Sequence, residues 1–118
     1  MHEYELIANL ITDVLSSKIN AKEALDKFPK NNQDINIKCA FDALMHYEAD
    51  EDLRKNVQDY ALVQDEYLEN IAQILKKNKQ LPQNIINEYL KYHKDNILAY
   101  NKKGFRGFIE YIKRMINF

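Results

Sequence analysis

Glycine and proline are nearly missing from this 118-residue chain, two of each, and tryptophan is absent. Only Pro29, Pro82, Gly104 and Gly107 punctuate the chain. A single cysteine, Cys39, cannot close an internal disulfide, which excludes a disulfide scaffold and suits a reducing, cytoplasmic compartment. No apolar run approaches the roughly 20 residues that span a bilayer. The opening segment carries Glu3, Glu5 and Asp13 and no basic leader, which argues against a signal peptide. There is no glycine-rich phosphate loop.

What is present is globular in kind: 46% hydrophobic and 30% charged residues rule against disorder. The length fits one domain over 1–118. Between the few breakers the apolar spacing is three and four, with no sustained alternation, so the expected fold is all-α, a bundle of five to six helices. The helices are expected near 3–17, 20–28, 34–49, 52–77, 82–100 and 105–116. Leu6, Ile7, Leu10, Ile11, Val14 and Leu15 form the first stripe. Asn20 with Glu23 reads as a capping box, Phe28-Pro29 ends the second helix, and Asp34 caps the third.

The third helix is apolar over most of its circumference, leaving a narrow polar strip of Lys38, Asp42 and His46, and is therefore expected at the centre. Self-association follows as an option if part of it stays uncovered. The fourth helix is expected to be long, burying Leu53, Val57, Tyr60, Ala61, Tyr67, Leu68, Ile71, Ile74 and Leu75, with Asp50 or Asp52 capping it. Pro82 opens the fifth, carrying Ile85, Ile86, Tyr89, Leu90, Ile97 and Tyr100. Two polar residues fall in apolar phase. Gln64, between Tyr60 and Leu68, reads as a buried amide bonded to a backbone group or a tyrosine hydroxyl. Glu48, in phase with Phe41 and Leu44, is either desolvated with a raised pKa or bent out to water or to Arg106. Each is also a candidate site residue.

Charge is distributed unevenly along the pattern. Residues 42–69 hold nine acids against Arg54 and Lys55, a local net of −7, whereas residues 102–118 carry a net of +4 within a chain of net −1. An acidic ridge of Asp50, Glu51, Asp52, Asp59, Asp65, Glu66 and Glu69, with Tyr47 and Tyr92 as anchors, is suited to a basic protein partner. Leu62 interrupts the charged face and offers an apolar anchor.

Three alternatives compete with that reading. His46 and Asp50 stand one helical turn apart, and His93 or Glu88 would complete a Zn or Fe site, which makes a metal-binding or hydrolytic protein centred on His46 and Glu48 the alternative. A Glu-x-x-His pair on each of two helices, the stronger signature, is absent. The basic amphipathic C-terminal helix, with Phe105, Phe108, Ile112, Met115 and Phe118 opposite Arg106, Lys113 and Arg114, suits an anionic membrane surface or nucleic acid. The segment's moderate charge argues against the membrane, and the net charge of −1 with the acidic flank argues against nucleic acid. The same segment also reads as the element that closes the bundle, its basic face near the acidic helices. No serine or cysteine has a base and orienting acid nearby in sequence, so no catalytic residue is assigned and no cofactor is implied.

Overall fold

A computed structural model describes residues 2–30 and 32–95 of the chain. Among the described residues there are six helices and no strand: α1 (His2–Leu15), α2 (Ala21–Asp26), α3 (Ile35–Ala49), α4 (Glu51–Asn56), α5 (Gln58–Lys76) and α6 (Gln83–Asp95). The helix expected at 105–116, with its basic residues, lies outside the described residues, as do the side chains of Tyr92 and His93.

Local chemistry accounts for the starts. At α2 the Glu23 amide donates to Asn20 Oδ1 at 2.8 Å and the Asn20 amide donates to Glu23 Oε1 at 3.2 Å, both halves of a capping box. At α3 the Asn36 amide donates to Asp34 Oδ1 at 2.8 Å. The turn between α1 and α2 passes through Ser17 at φ 64°, the left-handed region that favours glycine.

The core gathers Ile7 and Ile11 of α1, Leu44 of α3, Leu68, Ile71 and Leu75 of α5, and Ile85 of α6, all at most 1% exposed. Each such side chain contributes about 1.5–3 kcal/mol of burial. Phe28 and Phe41 close one corner edge to face, their ring centroids 5.4 Å apart. Leu6, expected on the first stripe, is 44% exposed, and Tyr4 and Ala8 are buried on that helix instead. Leu90 is likewise turned to water.

Helix α3 packs against each of the other five helices. Two of the three residues of its polar strip do not face water: Asp42 and His46 are buried, with His46 Nε2 3.7 Å from Asp42 Oδ2, while Lys38 is half-buried. Asn36 is buried too, because every polar group on its amide is used. Its Oδ1 accepts from the Leu81 amide at 2.7 Å, and its Nδ2 donates to the Tyr4 hydroxyl and to Asp34 Oδ1, each at 3.0 Å.

The single helix expected at 52–77 is divided. Val57 adopts an extended conformation (φ −127°, ψ 96°) and is 43% exposed, separating α4 from α5. The break has a geometric cause. In a straight helix, residues ten apart are separated by roughly 15 Å along the axis, yet the Arg54–Gln64 pair is bonded at 3.0 Å and the Asp50–Tyr60 pair at 2.5 Å. Only a chain that folds back at Val57 brings α4 over the first turns of α5.

Candidate functional site

The densest polar grouping lies where α3, α4 and α5 meet. Gln64, 1% exposed, is its centre. Its Oε1 accepts from Arg54 Nη1 at 3.0 Å, and its Nε2 donates to the Tyr60 hydroxyl at 3.2 Å and to Asp50 Oδ2 at 3.4 Å. The expectation that a tyrosine hydroxyl satisfies this amide is met. The Tyr60 hydroxyl donates in turn to Asp50 Oδ2. Asp50 therefore stands at the junction of α3 and α4 without capping α4; its carboxylate is spent on α5. Burial, then Asp50, push the Tyr60 hydroxyl well above its ordinary pKa.

Arg54 is the second hub. The same Nη1 donates to the Tyr47 carbonyl oxygen, and the guanidinium carbon stands 3.5 Å from the centroid of the Tyr47 ring. Tyr47 is thus half-buried beneath an arginine and is not an open anchor. Burial, and next the charge of Asp65, raise its hydroxyl pKa. Asp65 completes the group. Its Oδ1 is buried with no hydrogen-bond partner among the described residues, and burial lifts its carboxyl above the ordinary value against the opposing pull of Arg54 and the Tyr47 hydroxyl.

The acidic ridge is accordingly reduced. Asp50 and Asp65 point inward, whereas Glu51, Asp52, Asp59, Glu66 and Glu69 are exposed. Asp59, Leu62, Glu66 and Glu69 follow one another at steps of three and four along the outer face of α5, and Leu62 is 53% exposed. Lys55 is drawn to Glu51 at 3.5 Å, a largely exposed pair.

Of the residues expected around a metal, His93 has its side chain outside the described residues, and the described ones turn to other partners. His46 is turned to Asp42, Asp50 to Tyr60 and Gln64, and Glu48 is exposed rather than desolvated. Among the described residues no group of three or more His, Cys, Asp or Glu is placed to hold a metal ion. Cys39 is buried, and burial, with Asp42 next, pushes its thiol up to about 12, so it is no nucleophile at neutral pH. An open groove of about 480 Å³ runs between Phe28, Phe41, Met45 and Tyr89. No described helix is long and apolar enough to cross a membrane.

Sequence reasoning placed Gln64 in the interior but put Asp50 and Asp65 on the ridge and missed Arg54, which spacing alone marks as one more charge on a helix. The available signal was that a buried glutamine and a tyrosine on a −7 stretch need a cation near them. Comparison with protein families, with curated proteins and with solved structures finds no match for this chain.

Proposed function

We propose that the chain is a small, non-catalytic interaction module of the cytoplasm that engages a basic protein partner through the outer face of α5. The observation that carries this reading is Leu62, 53% exposed and flanked at one-turn intervals by Asp59 and Glu66, with Glu69 beyond. An apolar anchor ringed by like charge provides contact area at its centre and electrostatic steering at its rim. Glu51 and Asp52 extend the negative field from α4.

The test is triple charge reversal, Asp59→Lys, Glu66→Lys and Glu69→Lys, in protein recovered from its own cells by crosslinking. These side chains are exposed, so helix content and melting temperature should be unchanged within about 0.5 kcal/mol of stability per site. A specific crosslinked partner should be lost, and Leu62→Ala alone should weaken it by roughly tenfold, the equivalent of about 1.4 kcal/mol. A crosslinking pattern identical in wild type and triple variant would remove the basis of the proposal.

A further inference from the structure

The slot that holds Arg54 has the chemistry of a guanidinium site, and the chain fills it itself. One wall is an aromatic face, the Tyr47 ring at 3.5 Å; two carbonyl oxygens, of the Tyr47 backbone and the Gln64 side chain, accept from the same nitrogen. Aromatic stacking beside planar acceptors favours a delocalised guanidinium over a compact ammonium. The charge of Asp65 acts on the same cation, and its buried Oδ1 has no hydrogen-bond partner among the described residues. A group with five donors suits such a place.

The element that delivers Arg54 is weakly seated. Helix α4 has six residues, none buried, no side-chain cap at its start, and an exposed, extended Val57 at its end. Lifting it about Asp50 and Val57 would withdraw Arg54 and leave the Tyr47 ring, the Gln64 oxygen and the Asp65 carboxylate facing the gap. We propose that this slot is an arginine-binding site, occupied at rest by Arg54 as an internal pseudoligand, and that an arginine of the basic partner takes its place when α4 lifts. The inference rests on reading the α5 face as the partner surface. Arg54 competes at an effective concentration in the millimolar range or above. A lone arginine is therefore a poor competitor, and a partner already gripping Leu62 is a good one.

Ethylguanidinium is the first probe. Titrated into Arg54→Ala through the millimolar range, it should raise the melting temperature saturably, by about 4 °C or more, and shift the Gln64 side-chain amide resonances. Ethylammonium at equal ionic strength should do neither, and wild type, with its slot filled, should not respond. A folded Arg54→Ala that ignores ethylguanidinium, or answers both cations alike, overturns the proposal. If that variant is unfolded, recovery of helical ellipticity on adding ethylguanidinium supports the slot; no recovery, with no response from the stem-preserving Arg54→Met, overturns it. In wild type, hexa-arginine should speed amide exchange across residues 53–57 while hexalysine does not, and equal acceleration by both counts against arginine entry. Because Asp59→Asn, Glu66→Gln and Glu69→Gln together should leave the ethylguanidinium response intact, failure of the slot and failure of the α5 surface are read separately.

Discussion

Replacing Asn36 with leucine is the sharpest test of what ties the helices together. The side chains share one branched heavy-atom skeleton, but leucine is the bulkier, so the substitution removes polarity and adds some overpacking. Asn36 Oδ1 is the acceptor for the Leu81 amide, in the segment between α5 and α6, and Leu81 itself is buried. Leucine strands that N–H, at a cost of about 1–3 kcal/mol. The Tyr4 hydroxyl and Asp34 each lose one bond but keep others, Tyr4 donating to Asp34 Oδ2 at 2.7 Å and Asp34 accepting from the Asn36 amide, so these losses add about 0.5–1 kcal/mol each. Apolar burial of the new side chain offsets part of this. The net expectation is a loss of about 2–3 kcal/mol, read as a shift in urea midpoint at constant slope. A double-mutant cycle with Tyr4→Phe should return a coupling of about 0.5–1.5 kcal/mol, since both residues share one bond. A loss below about 0.5 kcal/mol, or a cycle that is simply additive, would refute the claim that this network joins α1, α3 and the α5–α6 segment.

The remaining predictions concern titration and access. Burial, and next the bond to Asp34, push the Tyr4 hydroxyl up to about 12, so its contribution is complete below pH 10 and disappears as pH rises through about 12; alkaline melts should show a loss in that window that Tyr4→Phe reduces. Asp65 has a folded pKa above its unfolded value, so its contribution is fully present below about pH 4 and is lost as pH rises through the folded pKa. Asp65→Asn should accordingly be more stable than wild type at pH 7 and equal to it near pH 3; an acid-side advantage for the variant would reverse the assignment. Cys39 should react with a maleimide at pH 8 only at the rate at which the fold opens, and fast stoichiometric labelling of native protein would contradict its burial.

What could be read from the sequence was whatever depends on near neighbours. The capping box at Asn20 and the cap at Asp34 are decided within four residues, and the structure shows them where spacing put them; the second helix, expected to stop at Phe28-Pro29, ends at Asp26, two residues earlier. The apolar stripes of α1 and α5 were visible because one side of each helix faces the core. Helix α3 defeats that logic. It packs against five helices, so part of its polar strip is buried as well, and Asn36, Asp42 and His46 are admitted by partners that no spacing reveals. The break at Val57 is hidden for a related reason: the three-and-four pattern runs straight through it, and what ends the helix is a bond between residues ten apart. The same distance effect drew Asp50 and Asp65 out of the ridge, since each answers to a tyrosine or an arginine that folding brings near.

The two buried polar clusters invite opposite conclusions, and the difference lies in how completely they are satisfied. Around Asn36 each amide atom has a partner. A network of that kind is costly to disturb and specifies one arrangement, so it behaves as a rivet. Around Arg54 the accounts differ: Asp65 keeps a buried oxygen with no hydrogen-bond partner among the described residues, and the arginine arrives on a helix that buries nothing of its own. Had stability alone shaped this corner, a neutral residue at 65 would serve better at neutral pH. In the proposed exchange, a half-buried carboxylate held against an arginine on a helix that buries nothing is the element whose balance a partner would shift by its own binding energy. Asn36 therefore belongs to the architecture, and Arg54 is the residue on which the function of this bundle is best tested.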